Sequence, residues 1–226
     1  MNTKLIKILL AGAVVAFGFS MRVMANPVSL VPGASVSLVL ATNGPSTIVA
    51  SETDSFAGTK LQGTVKVSVL QNFTDNPWSA AGGLTFVYTI HNSGTSTDAI
   101  TGMGIDGWAG FLTDVADYPS PSFGPAASFA SRSTVGTNNG NTVTFGWQGT
   151  PLGAGLIVPN SSGYEVLVYT NATSWMDVTA GVRDGDGVSL MTLGPAVPDG
   201  GTTALLLGLG LLGVGFVARR FKSVKA

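Results

Sequence analysis

Apolar and polar residues alternate through the middle of the chain. In the stretch GLTFVYTIHN every second residue is large and apolar: Leu84, Phe86, Tyr88 and Ile90. Successive side chains of a β-strand point to opposite faces, so this pattern predicts a strand with one buried face. Similar patterns recur in TVKVSVLQN, NTVTFGWQG and YEVLVYTN, separated by clusters of Gly, Pro, Asn and Ser. No part of residues 26–196 shows an apolar stripe of helical period, so the pattern predicts an all-β domain.

The spacing of these strands indicates their arrangement. About eight or nine short strands with turn residues between them favour an antiparallel β-sandwich over residues 26–196, and a jelly-roll is one topology that fits. The 31 Gly and 11 Pro residues agree with a domain rich in turns.

The first 25 residues have the order of a secretory signal peptide. Lys4 and Lys7 precede an apolar run over 8–19, and Ala25 is the small residue expected before the cleavage point. The alternative is an uncleaved N-terminal anchor, which the shortness of the apolar run disfavours.

The C-terminal region has an apolar segment followed by basic residues. Residues 202–218 carry no charge, and as a helix they would extend about 26 Å, just enough to cross a bilayer core. The cluster that follows holds Arg219, Arg220 and Lys222, and positive residues beside a span tend to stay in the cytoplasm. This pattern predicts a transmembrane helix at 202–218, a cytoplasmic tail at 219–226 and a body outside the cytoplasm. A buried core helix is the alternative.

A turn motif stands directly before this helix. The motif VPDGG comprises Val197, Pro198, Asp199, Gly200 and Gly201. Proline restricts the backbone, while Asp and Gly tolerate turn conformations, so the motif predicts an accessible turn beside the membrane.

The order of turn motif, apolar helix and basic end over residues 197–226 resembles the PEP-CTERM class of sorting signals, especially its VPDSG variant. The resemblance implies that an exosortase, a membrane-embedded transpeptidase-like enzyme, removes the helix and passes the body to the cell surface or an extracellular matrix. Asp199 replaces the Glu of PEP, and Gly200 replaces the Ser of VPDSG. A permanent membrane anchor without cleavage is the alternative.

Charge and composition exclude several classes of function. All twelve acidic residues lie between Glu52 and Asp199 with four basic ones, a net charge of −8 for that segment. An acidic body lacks the clustered Lys and Arg that bind nucleic acid, so no nucleic-acid partner is expected. The absence of Cys excludes disulfides and thiolate chemistry.

Candidate catalytic and metal-binding residues are few. His91 is the only histidine, so a Ser-His-Asp hydrolase would have to be built around it. Asp184 and Asp186 alternate with glycines as in calcium loops, but no Glu stands at the twelfth position, and an Asp-Gly hairpin turn fits better. We therefore expect no enzyme activity, no cofactor and no bound metal, with calcium at these two carboxylates as the alternative.

Aromatic residues indicate a rival binding function. Trp78 follows Pro77 in a predicted loop, which makes it the best candidate for stacking against a sugar ring. Trp147 alternates with Val143 and Phe145, so we expect it in the core.

These observations predict an exported protein of a Gram-negative bacterium. Its precursor is anchored in the inner membrane, an exosortase-like enzyme processes it, and its mature form is a structural component of the cell surface or of an exopolysaccharide or biofilm matrix. One alternative is a carbohydrate-binding module at the same location, with an exopolysaccharide as ligand. Another is a membrane-anchored periplasmic hydrolase centred on His91.

Overall fold

The folded body of the chain is almost entirely β-structure. The computed structural model describes residues 27–41, 44–118, 124–134, 140–148, 155–184 and 187–196. Within these residues the chain forms thirteen strands and one 3₁₀ turn, Ser79–Ala81. The strands are β1 Val28–Ser29, β2 Ser35–Val36, β3 Thr47–Ala57, β4 Gln62–Gln71, β5 Thr85–Asn92, β6 Gly102–Ile105, β7 Thr113–Tyr118, β8 Phe129–Arg132, β9 Val143–Gly146, β10 Ser161–Ser162, β11 Glu165–Thr170, β12 Trp175–Arg183 and β13 Gly187–Pro195.

The strands are divided between two antiparallel sheets. The first sheet has the order β1-β7-β11-β5-β4-β3, with β10 also paired to β5. The second has the order β13-β12-β6-β9-β8-β2. The all-β prediction is confirmed. Strands β3, β4 and β5 follow one another within one sheet as a meander, whereas a jelly-roll would alternate consecutive strands between sheets.

One hydrophobic cluster joins the two sheets, as expected for a β-sandwich. Val67 and Phe86 of the first sheet belong to the same buried cluster as Met103, Phe145 and Val182 of the second. Large apolar side chains on facing strands exclude water from this layer, which is the main stabilising contribution to such a fold.

The alternating pattern of GLTFVYTIHN describes β5 correctly. Leu84, Phe86, Tyr88 and Ile90 are all buried in the shared core. The Tyr88 hydroxyl donates a hydrogen bond of 2.8 Å to the Leu193 carbonyl on β13, which ties the first sheet to the edge strand of the second.

A second, smaller cluster covers the outer face of the first sheet. Its members from β7 and β11 are Ala116, Leu167 and Tyr169, and the Tyr169 ring lies 5.9 Å from the Phe73 ring. Both faces of β11 are therefore covered, which explains why the stretch YEVLVYTN is apolar on both sides of the strand.

The tryptophans divide between core and surface. Trp147 is fully buried beside Val143 and Phe145, as predicted, and Trp108 is buried with its ring edge-on to Phe86 at 5.5 Å. Trp78 is half-buried, and Trp175 is exposed.

Helical structure among the described residues is too short to span a membrane. The predicted transmembrane helix at 202–218 and the predicted signal peptide at 1–25 lie outside the described residues.

Candidate functional site

The C-terminal end of the folded body is fixed by a complete strand pairing. Strand β13 pairs with β12 over nine residue pairs, from Arg183↔Gly187 to Trp175↔Pro195. Beyond the last pair, the Ala196 N–H donates to the Ser174 carbonyl at 3.0 Å, and the Ser174 hydroxyl donates to the Ala196 carbonyl at 3.2 Å. The pairing of β12 and β13 therefore continues to Ala196, and the motif of 197–201 follows directly in sequence.

The residues around Ala196 form one end of the sandwich, which we call the exit end. Ser174 closes the loop 171–174, and Asn171 of this loop accepts a 2.9 Å hydrogen bond from the Leu112 N–H. Leu112 in turn lines a small cleft together with Val31 and Trp78. The exit end thus comprises the loop 171–174, the start of β12, the residues before β7, the segment after β1 and the Trp78 loop.

The exit end exposes several apolar side chains. Val31 is 58% exposed, Leu112 56%, Met176 53% and Trp175 38%. Other parts of the described body also expose single apolar side chains, so exposure alone does not mark this end as an interaction surface.

The cleft at the exit end contains the predicted sugar-stacking residue. It has a volume of about 90 Å³, and Trp78 and Phe111 line it with Ser29 and Asp114. Burial raises the pKa of Asp114, and the hydrogen bond with Ser29 partly opposes this rise. The backbone N–H of Trp78 donates a 2.8 Å hydrogen bond to the side-chain oxygen of Asn76, which holds the loop in place. An aromatic ring beside a carboxyl and a hydroxyl is an arrangement able to bind a polyol.

Arg132 joins the loops beneath this cleft. Its guanidinium donates to the carbonyls of Leu30, Trp108 and Gly140 and to the Thr113 hydroxyl. The sequence analysis did not single out this residue. An arginine that follows an alternating strand pattern is normally assigned to the solvent face, and the converging carbonyls come from distant parts of the chain.

His91 has one element of a hydrolytic arrangement. Its Nδ1 lies 3.0 Å from the Ser162 hydroxyl, because β10 pairs with β5 in the register Ser162↔His91. Among the hydrogen bonds of the described residues, none joins His91 to a carboxylate. A triad needs a third group to orient the imidazole, so the described geometry supplies only two of its three members.

The predicted calcium candidates lie at a hairpin turn. Strands β12 and β13 pair up to Arg183↔Gly187, and Asp184 follows the last paired residue of β12. Asp184 lines a cleft of about 320 Å³ with Lys60, whose ammonium lies 3.1 Å from Asp98. The hydrogen bonds from Lys60 and with Asp184 lower the pKa of Asp98. Asp186 lies outside the described residues, and among those described no group of three metal-ligating side chains occurs.

The segment that follows the exit end in sequence matches a known family. Residues 196–221 match the family model of the VPDSG-CTERM motif. The chain carries a VPDSG-CTERM sorting signal. The match begins at Ala196, the residue that follows the end of β13. Neither a curated protein nor a solved structure matches the chain.

The VPDSG-CTERM match confirms the resemblance inferred from the sequence, and it indicates an exported protein processed by an exosortase-like enzyme. It includes the motif Val197, Pro198, Asp199, Gly200 and Gly201 and the basic residues Arg219 and Arg220. All of these positions, together with Lys222 and the predicted cleavage residue Ala25, lie outside the described residues, so their individual roles stay predictions.

Proposed function

We propose that this protein is a structural component of the bacterial cell surface or extracellular matrix, exported by its signal peptide and released from the inner membrane by cleavage of its VPDSG-CTERM signal. The precursor is anchored by the helix at 202–218, with the basic tail in the cytoplasm. The mature form comprises the sandwich and associates with an exopolysaccharide or biofilm matrix. Its role is architectural, without catalysis.

The observation that supports this proposal best is the position of the sorting signal relative to the sandwich. Every described strand ends at or before Pro195, and the sorting-signal match begins at Ala196. A cut within 197–201 therefore leaves every described strand and every described core side chain in the mature body. A protein that must lose its C-terminal segment and remain folded needs this separation.

The proposal is tested by changing the signal without changing the body. In the native host, a variant with Arg219→Gln, Arg220→Gln and Lys222→Gln removes the charges that hold the tail in the cytoplasm. We expect loss of processing and accumulation of the full-length form. A matched control replaces Lys60 and Lys66 with Gln, which removes two positive charges from the body, and we expect normal processing. Normal processing of the tail variant would contradict the proposal.

Carbohydrate binding is the second candidate function, and the cleft that holds Trp78 favours it. Trp78 and Phe111 supply apolar ring surface, while Ser29 and Asp114 supply polar groups in the same cleft. Sugars present an apolar ring face and hydroxyl edges, so they fit a site with both kinds of group.

Affinity electrophoresis in gels that contain the host exopolysaccharide tests this second candidate. We expect the chain to be retarded, Trp78→Ala to abolish the retardation and Trp175→Ala to leave it unchanged. Equal migration of all three proteins with and without polysaccharide would contradict carbohydrate binding at this cleft.

A further inference from the structure

The exit end carries exposed apolar residues on three different parts of the chain. Val31 follows β1, Leu112 precedes β7, and Trp175 and Met176 begin β12. The pairing of β1 with β7 places the segments of Val31 and Leu112 next to each other, and the Leu112–Asn171 hydrogen bond fixes the loop that leads into Trp175 and Met176 against them. An apolar surface built from separate segments is a property of the fold and not of one loop.

Apolar exposure alone does not distinguish this end from the opposite one. Val158 is 53% exposed, and its neighbour Ile157 accepts a hydrogen bond from Asn92 at the far end of β5. The exit end of β5 is marked by Leu84, whose carbonyl accepts from Thr170. What distinguishes the exit end is the departure of the chain at Ala196 toward the apolar segment at 202–218.

The length of this connection limits how far the body stands from the membrane. Five residues separate Ala196 from Thr202, so the six steps from one Cα to the next span at most about 22 Å when the chain is fully extended. Any turn in the VPDGG motif shortens the distance. Because the connection is short and begins at the exit end, we expect the exit end to be the surface of the body that faces the lipid.

We propose that the exit end rests on the outer leaflet of the inner membrane while the C-terminal segment is inserted, with Trp175, Met176, Leu112 and Val31 in contact with the headgroup region. This inference depends on the proposed function, because it requires an inserted helix. Tryptophan suits the boundary between lipid and water, since its ring is apolar and its indole N–H donates hydrogen bonds.

The charges of the body explain why this contact depends on the tether. The exposed basic residues Lys60 and Arg183 lie beside the β3–β4 and β12–β13 turns, away from the exit end, whereas the exit-end cleft is lined by Asp114 and by the buried Arg132. The opposite charges of these two side chains leave the cleft without excess positive charge for anionic headgroups, so the apolar area acts only at the high effective concentration that a short tether supplies. Cleavage removes the tether and with it the high effective concentration, so the exit end of the mature body dissociates from the membrane.

Single-cysteine spin labels test the contact in the full chain, which has no Cys of its own. Leu112→Cys and Val31→Cys place labels at the exit end, and Val158→Cys places the control label on a similarly exposed apolar position at the opposite end. The full chain is reconstituted in vesicles of phosphatidylethanolamine and phosphatidylglycerol. Relaxation by oxygen, which concentrates in lipid, is compared with relaxation by a water-soluble nickel chelate.

We expect the ratio of oxygen to nickel accessibility to be several-fold higher at the exit-end labels than at the Val158 label. Equal ratios at both ends in an inserted chain overturn the inference. Exit-end labels that lose nickel access only in host membranes, and not in pure lipid, also overturn it, because they point to a protein partner. Flotation with the vesicles after an alkaline wash reports insertion separately, and a chain that is not inserted contradicts the proposed function instead.

Discussion

Ala196 and Ser174 are joined by two hydrogen bonds, one from the Ala196 N–H to the Ser174 carbonyl and one from the Ser174 hydroxyl to the Ala196 carbonyl. This pair extends the pairing of β12 and β13 to the residue where the sorting-signal match begins. All strands of the described residues precede the signal in sequence. We therefore expect the sandwich to stay folded whether or not the signal is cleaved.

Truncation tests this independence. A chain ending at Ala196 keeps every strand and every buried core side chain of the described residues, so we expect it to have the same free energy of unfolding as one ending at Gly201, within about 0.5 kcal/mol. A chain ending at Thr192 loses the buried Leu193 and the acceptor of the Tyr88 hydroxyl. We expect it to be destabilised by about 2–5 kcal/mol or more. Urea denaturation of the three chains measures both effects, and equal stability of all three would show that the end of β13 contributes nothing.

Arg132 is predicted to be essential for the exit end. Replacement by Ala removes all four hydrogen bonds of the guanidinium and leaves the buried Gly140 carbonyl without a donor, whereas the Leu30 and Trp108 carbonyls keep the Thr113 hydroxyl and the Phe111 N–H. An unpaired buried polar group costs about 1–3 kcal/mol. Arg132→Lys is expected to recover only part of the loss, because an ammonium cannot reproduce the planar fork of the guanidinium. Arg183→Ala, at an exposed arginine, is the control and is expected to change stability by less than about 0.5 kcal/mol. Equal effects at the two arginines in thermal denaturation would refute this role.

Asp117 is predicted to make the stability of the body depend on pH. Its side chain lies on the core-facing side of β7, and burial raises its pKa to about 8. The folded state therefore binds the proton more tightly than the unfolded state, whose Asp has a pKa of about 3.9. The contribution to stability is complete below about pH 4 and is lost as the pH rises toward 8, with a slope of up to about 1.4 kcal/mol per pH unit.

Asp117→Asn is expected to remove this part of the slope, because the amide does not ionise. Burial also raises the pKa values of Glu52, Asp114 and Glu165, so a smaller slope remains. Urea midpoints at pH 5 and pH 8 measure the difference, with Asp177→Asn at an exposed carboxyl as the control. An unchanged slope in Asp117→Asn would mean that Asp117 does not titrate in this window.

The pair of His91 and Ser162 is predicted not to act as a hydrolase. Activation of serine as a nucleophile needs an imidazole that a third group orients, and the described hydrogen bonds supply none to His91. We expect no labelling of the chain by a fluorophosphonate probe that modifies activated serines. Labelling that disappears in both Ser162→Ala and His91→Ala would contradict a purely architectural role.

The strands of this body were predictable because their pattern is local. The alternation in GLTFVYTIHN identifies the buried face of β5 directly. The alternation of Val143, Phe145 and Trp147 likewise identifies the buried side chains of β9 and of the residue that follows it. The pairing of these strands was not predictable in the same way. Neighbours such as β7 and β11 are far apart in sequence, and the meander of β3 to β5 differs from the jelly-roll alternation considered from spacing alone.

One part of the candidate site was predictable from the sequence and the other was not. The sorting signal is linear, so its residues and their order suffice to recognise it. The exit end depends on contacts between distant segments, such as Leu112 with Asn171 and Arg132 with Leu30. No local sequence pattern predicts these contacts. Nothing in the sequence distinguished Trp175 from the other aromatic residues. Its place at the exit end follows from its pairing with Pro195, the residue before Ala196.

Export followed by cleavage at the C-terminal signal leaves the mature protein with a new C-terminus. Intact mass and C-terminal peptide mass spectrometry of the mature protein from its native host locate this terminus. We predict a body outside the inner membrane whose last residue lies within 197–201. Mature protein that retains Arg219 to Ala226 would contradict it and would make the segment a permanent anchor.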